Sequence, residues 1–344
     1  MRSSYLILIT ALLTTALLAT ACSKNEPTPG LDTPQTLTTD AILRTVSVST
    51  ATQLQAALNN AVAGDYITLA NGTYTGQFSV PAGRNGNGTN RIVLTGSRLA
   101  LLQTNTRSSG KPALSLLGNS YWEIKGFSVV NSKKGIVLDN SSNNILDNLS
   151  VRGMGDEGVH FRTNSKSNVL KYSEIKDMGT ATPGFGEGVY IGSAKSNWST
   201  YTGGNPDRSD YNRVENNVIG PDVRAEHIDV KEGSTGGSIT GNTFNGAGMS
   251  GDNYADSWID VKGNGYTISG NNGNNARLDG FQTHVPLTGW GRDNKFSSNT
   301  CNVGAAGYGF KIELTSGSAN GNIVYASNSV QNAGSGLANI TVTP

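Results

Sequence analysis

The residues richest in chemistry are Glu226-His227-Ile228-Asp229-Val230-Lys231. Apolar and charged positions alternate. As a strand, the segment turns Ile228 and Val230 to one side and Asp229 and Lys231 to the other. Ser257-Trp258-Ile259-Asp260-Val261-Lys262 repeats the pattern. If the two strands stack, two aspartates and two lysines line one outer face. Such a face can take a proton from the carbon next to a carboxylate. That proton is acidic enough only when the carboxylate charge is neutralised by a metal or by cationic side chains. Uronic-acid polysaccharides are cleaved this way, by β-elimination, with the glycosidic oxygen leaving.

Each residue then has an expected role. Lys231 is the base. Lys262, one coil on, neutralises the substrate or protonates the leaving group, and Arg162 and His284 complete the catalytic set. Cations and metal around Lys231 are expected to lower its pKa toward neutrality, as a lysine base requires. Calcium (Ca2+) needs several hard oxygen donors. Glu187 and Glu226 hold matching positions on consecutive coils with Asp229 nearby, and Asp260 is the fourth candidate ligand. Two alternatives compete. A glycoside hydrolase would pair Asp229 with Asp260, whose strand spacing of ~4.8 Å suits a retaining separation, and would leave the lysines without a role. A non-catalytic glycan-binding surface protein would need aromatic loops but no Glu226/Lys231 pair.

The strands that carry these residues recur. One type reads Gly135-Ile136-Val137-Leu138, Gly158-Val159-His160-Phe161 and Gly188-Val189-Tyr190-Ile191, and continues through Gly280-Phe281-Gln282-Thr283 to Gly309-Phe310-Lys311-Ile312. Starts fall 23 residues apart (135 to 158) and 22 apart (258 to 280). A second type has Asn on its flanks, as in Asn144-Ile145-Leu146-Asp147-Asn148 and Asn212-Arg213-Val214-Glu215-Asn216. A period in the low twenties with two or three short strands is the signature of a solenoid. Asn suits its bends, because it tolerates left-handed backbone and can stack its amide along the ladder. The fold expected is all-β, a right-handed parallel β-helix over 46–344.

Alternation places His160, Tyr190, Asp229, Asp260, Gln282 and Lys311 in one outward row. Insertions adjoin it: 193–210 with Trp198 and Tyr201, 246–257 with Tyr254, and 285–292 with Trp290 and Arg292. These loops could wall a groove whose rings stack on sugar faces. His160, Tyr190, Trp198, Tyr201, Tyr254, Gln282, Trp290 and Arg292 are therefore the expected substrate contacts.

Thr50 to Ala61 reads as the one helix, capped by Thr50 with Gln53 three residues on, and with an apolar stripe of Leu54, Ala57, Leu58 and Ala61. It would cover the open end of the solenoid.

Bulk properties agree. The chain has 344 residues and a net charge of +1, which argues against a nucleic-acid partner. With 44 Gly and only 15% charged residues, it favours many tight turns and little helix. Arg2 precedes an apolar run, 5–18, that is short for a membrane span and suits export. Leu18-Ala19-Thr20-Ala21-Cys22 follows and resembles a bacterial lipoprotein processing site. The expectation is a signal peptide over 1–22, lipidation at Cys22 and a flexible Pro/Thr-rich tether over 23–45. The mature protein would be a monomeric lipoprotein of the outer membrane or cell surface, held to the membrane by lipid alone, with a periplasmic or secreted protein as the alternative. Cys301 is the only other cysteine, so no disulfide is available once Cys22 is acylated.

Two stretches resemble known proteins. Leu54-Gln55-Ala56-Ala57-Leu58, with Gly64-Asp65-Tyr66-Ile67-Thr68-Leu69-Ala70-Asn71-Gly72-Thr73-Tyr74, resembles the N-terminal cap and first coil of bacterial parallel β-helix proteins, polysaccharide lyases among them. Glu226 to Lys231 resembles the motif of polysaccharide lyase family six, the alginate lyase and chondroitinase B group. The resemblance implies Glu226 as a calcium ligand, Lys231 as the base and an acidic polysaccharide as substrate. The chain departs from the motif at Arg224, where the family has an acidic residue, and at Lys262, near where it has a catalytic Arg.

Overall fold

The computed structural model describes residues 42–344. Cys22, the signal peptide and nearly all of the tether lie outside them. The first strand, Arg44–Val48, begins two residues before the solenoid boundary expected from sequence.

The chain winds as a right-handed parallel β-helix with three sheets of 11, 10 and 10 strands, all paired parallel. The two strand types read from sequence form two of them. The site sheet runs through Ile136–Asp139, Val159–Arg162, Val189–Ile191, Ile228–Val230, Ser257–Val261, Asp279–Thr283 and Tyr308–Ile312. The Asn-flanked sheet includes Ile145–Asp147, Val169–Lys171 and Arg213–Glu215. The third sheet, absent from the sequence reading, includes Glu174–Lys176 and Asn272–Asn274.

Register explains the core. Ile136, Val159, Val189, Ile228, Ile259, Phe281 and Phe310 stack in one inward column, all with no exposed surface. Phe281 and Phe310 lie stacked at 5.0 Å between ring centres.

The Asn ladders also form. Asn217, Asn242, Asn271, Asn299 and Asn328 pass side-chain hydrogen bonds from coil to coil at 2.9–3.0 Å. Each buried amide also serves backbone groups of neighbouring coils, so the bend leaves few polar groups unpaired. Asn143, Asn148 and Asn216 adopt the left-handed backbone expected at bends.

The helix spans Ala51–Asn59 and ends two residues earlier than expected, with Thr50 as its cap and Thr50 Oγ1 accepting from the Gln53 backbone N–H. Leu54 and Leu58 are fully buried over the solenoid end.

Candidate active-site groove

The outward row forms as alternation requires. His160, Tyr190, Asp229, Asp260, Gln282 and Lys311 pair in register on consecutive coils. Glu157, Glu187 and Glu226 stack three residues earlier, just before each strand, and Arg162, Gly192, Lys231 and Lys262 two residues later. Unlike a solvated face, this one is largely covered: Asp229 is 1% exposed and Glu187 and Glu226 6%. Two cavities open over it. One of about 370 Å³ lies over His160, Glu187 and Tyr190; one of about 470 Å³ lies over Glu226, Asp229, Lys231, Asp260 and Lys262.

A chain of contacts crosses the floor. Lys134 Nζ donates to Glu157 at 2.6 Å, and Glu157 Oε1 lies 3.1 Å from His160 Nδ1. The His160 ring packs edge-on against Tyr190, with centres 4.3 Å apart. Lys231 Nζ is 5.1 Å from the Tyr190 ring centre and donates to Asp229 Oδ2. Lys262 bridges Asp229 and Asp260, and His284 Nδ1 meets the other Asp260 oxygen at 2.8 Å.

Burial disfavours charge on both lysines, but the carboxylates outweigh it. Asp229, Glu226 and Glu187 raise the Lys231 pKa, and Asp229 and Asp260 raise that of Lys262. This corrects the expected lowering at Lys231: its nearest charges are anions, so it rests as an ammonium ion. Lys262 and His284 overcome burial at Asp260 and hold that carboxyl well below the usual range. Burial, helped by Asp229 and Asp260, pushes Glu226 up to about 7. Burial with Asp229, Glu157 and Glu226 lifts Glu187 well above its ordinary value. Burial, then Asp229 and Glu187, lifts the Tyr190 phenol.

Glu187 and Glu226 are the uncompensated groups. Among the described residues neither carboxylate has a hydrogen-bond or ion-pair partner, although both are buried. Oxygens of Glu187, Glu226 and Asp229 lie within 4.8 Å of one another. Three hard donors with excess negative charge fit a divalent cation such as calcium. Asp260 is not part of that cluster, and its two oxygens meet Lys262 and His284. The Asp229/Asp260 pair of the hydrolase alternative is held by Lys231 and Lys262 on Asp229 and by Lys262 and His284 on Asp260.

Other expected site residues have different surroundings. Arg162 lies two coils from Lys231, roughly 10 Å away at the usual strand spacing, and its guanidinium is forked onto Asp139 and stacked 4.3 Å from the Tyr201 ring centre. It builds the groove wall rather than the reacting centre. Trp198 is buried, with its indole N–H donating to the Ser193 carbonyl, so it anchors its own loop. The Gln282 amide is spent on Asp256 and Asp279. Trp290 and Arg292 line a neighbouring cleft of about 750 Å³, which meets the groove at Val285, Pro286 and Glu313. Tyr201 and Tyr254 do reach the groove, one at each cavity. Sequence reasoning missed Lys134, Asp139 and Phe185. Only Asp139 carried a signal, since it sits one coil below Arg162 in the same column.

A groove of this kind on a right-handed β-helix is the architecture of polysaccharide lyases. Residues 84–205 match the family model described as right handed beta helix region. The alginate lyase of Paenibacillus sp. str. FPU-7 is 37% identical over 88% of this chain and 99% of its own, with a TM-score of 0.78. The chain belongs to the family of right-handed β-helix polysaccharide lyases that includes that enzyme. Pectate lyase Pel9A shares the fold at 14% identity, over 88% of this chain and 79% of its own, with a TM-score of 0.62. The surface adhesin PfbA of Streptococcus pneumoniae shares it at 12% identity, over 81% and 74%, with a TM-score of 0.54. The comparison with curated proteins finds no match.

Proposed function

We propose that this protein is a lyase that cleaves a uronic-acid polysaccharide by β-elimination, with alginate the first substrate to test. The observation that carries the reading is Lys231 beside Tyr190 on the groove floor, flanked by the unpaired carboxylates of Glu187 and Glu226. The near full-length likeness to an alginate lyase supports it.

In the reaction the Lys231 nitrogen, as the free amine left once its own proton has gone to solvent, takes the proton from C5 of the uronate. The electrons of that C–H bond form the C4=C5 double bond, and the C4–O4 bond breaks. The Tyr190 hydroxyl gives its proton to the departing oxygen. Among the described residues that hydroxyl has no hydrogen-bond partner, and burial keeps it protonated, as a proton donor must be. Lys262 holds Asp229 in place by bridging it to Asp260. A calcium ion, held by Glu187, Glu226 and Asp229, would supply positive charge for the substrate carboxylate and cancel the three charges that keep Lys231 protonated.

We infer further that the chain is exported as a monomeric lipoprotein anchored through Cys22, on the strength of the 18–22 segment. Membrane-fraction retention lost on Cys22→Ala tests the anchor, and light scattering tests the monomer.

Incubation with alginate, pectate, glucuronan and chondroitin, followed by absorbance of the unsaturated product, tests the main proposal. Absorbance should rise with one of them. New reducing ends without absorbance would replace the lyase by a hydrolase, and binding without either would leave a glycan-binding protein.

A further inference from the structure

Two large aromatic rings stand out from the groove wall with no protein surface to cover them. Phe185 is 57% exposed and Tyr254 is 90% exposed. Phe185 closes the short turn Pro183–Phe185 and lines the first cavity; Tyr254 closes the turn Asp252–Tyr254 and lines the second. The two turns come from different coils yet touch. Asn253 Nδ2 donates to the Gly184 carbonyl at 3.2 Å, and a Cβ on Gly184 would meet the Asn253 Cβ at 3.0 Å. Both rings therefore sit on one buttressed wall, Phe185 at the cavity lined by Tyr190 and Tyr254 at the cavity lined by Lys231.

The second turn is also held in costly backbone. Gly251, Asn253 and Tyr254 all have positive φ, at 78°, 55° and 63°. For a residue as bulky as Tyr this region is uncommon, and a conformation of this kind persists only where surroundings or function demand it. Tyr254 makes no hydrogen bond through its side chain among the described residues, so packing within the protein does not account for it. A ligand does. Pyranose rings present flat C–H faces that stack on aromatic faces, and a glycan threaded through both cavities would cover both rings.

We propose that Phe185 and Tyr254 form a two-ring rail that grips the sugars on either side of the bond to be cut; this rests on reading the groove as a polyuronate site. The rings are positioning residues. They hold the chain so that one uronate meets Lys231, and take no part in proton transfer. Gly184 matters because any side chain there would push the two turns apart.

The test uses Lys231→Ala protein, so that the polymer is not consumed, and reads mobility in gels containing alginate, pectate, glucuronan or chondroitin. Phe185→Ala and Tyr254→Ala should each weaken binding of the retarding polymer about tenfold, while Phe185→Tyr and Tyr254→Phe retain it. In the active protein the same alanine changes should raise KM and leave kcat near its starting value. Unchanged binding in both alanine variants overturns the rail. Equal loss in the aromatic-for-aromatic variants also overturns it, since the turn conformation and not the ring face would then matter. If the Lys231→Ala protein is retarded by none of the four polymers, the polyuronate reading fails and the rail with it.

Discussion

The Lys231 ammonium lies 5.1 Å from the centre of the Tyr190 ring while hydrogen-bonded to Asp229. Base and acid candidates therefore come from adjacent coils of one sheet, fixed by its register: Tyr190 pairs with Asp229, and Lys231 follows two residues on. Lys231→Ala and Tyr190→Phe should each lower turnover by roughly 10²- to 10⁴-fold, the usual contribution of a positioned acid or base. Thermal unfolding should be little changed for Tyr190→Phe, since its hydroxyl has no partner to lose. Initial rates by product absorbance check both; full activity in either variant rejects that assignment.

A cation should bind where charge is uncompensated. Calcium added to chelator-treated protein should raise Tm, and Glu226→Gln should abolish the rise while raising the Tm of the metal-free protein. The second effect follows because Glu226 stands unpaired among Asp229, Asp260 and Glu187. Calorimetry with and without chelator reads both. A calcium-induced rise that persists in Glu226→Gln would move the cation elsewhere.

The pH dependence of that same carboxyl has a definite sign. Its folded pKa is about 7, raised from an ordinary value near 4.5. Between those values the folded state holds a proton that the unfolded state has released. The contribution of Glu226 to the stability of the metal-free protein is therefore full below about pH 4.5 and is lost as pH rises through 7. A shift of this size corresponds to roughly 3 kcal/mol. Urea unfolding at pH 5 and pH 7.5 should show the decline, and Glu226→Gln should flatten it.

Much of this was legible in the sequence, and the boundary has a physical cause. Period-two alternation put Asp229, Asp260, Lys231 and Lys262 on one face, and the spacing of Gly135 and Gly158 gave the coil length. The third sheet escaped notice because several of its strands are as short as three residues and carry a single buried apolar residue, as Ile175 in Glu174–Lys176, or none, as in Asn272-Gly273-Asn274. Pairing was the harder matter. A row of aspartates and lysines says which groups are neighbours, but the sign of the Lys231 shift depends on three carboxylates from two coils. Gln282 and Trp198 were misjudged for a related reason: an outward or loop position does not reveal that Asp256 and Asp279, or the Ser193 carbonyl, already hold the polar end. Phe185 sits in a loop with no pattern at all.

The Glu157 carboxyl gives an acid-side prediction of opposite sign. Burial opposes its charge, but His160 and Lys134 prevail and bring it down to about 2. This stability is present above the unfolded value near 4.3 and is lost as pH falls through about 2. Lys134→Met removes one of the two partners and leaves the buried carboxylate held by His160 alone. Acid unfolding followed by circular dichroism should then begin at higher pH, with stability at pH 7 reduced as well. An unchanged acid transition would mean that His160 alone sustains the ionised form.

The Asn ladder should be the most sensitive structural element, and Asn271 is its best test. Its Nδ2 donates to the Ile239 carbonyl and to Asn299 Oδ1, and its Oδ1 accepts from the Asn242 backbone N–H and side chain. Replacing it by Ala strands the Asn242 backbone N–H and takes a donor from the Ile239 carbonyl and from Asn299 Oδ1, which keeps only the Asn271 backbone N–H, all in buried surroundings. Each unsatisfied buried group costs about 1–3 kcal/mol, so Asn271→Ala should lower stability by several kcal/mol. Asn271→Asp should cost a similar amount, because a carboxylate keeps the acceptor but loses both donors and brings a charge into the ladder. Asn332, whose amide bridges to Asn302 on the exposed surface, provides the contrast: its loss should cost only about 1 kcal/mol, because water replaces the bridge and what remains is the cost of left-handed backbone without Asn. Urea titration of the three variants separates the outcomes. A small effect at Asn271 would show that the coils hold together by their apolar columns alone.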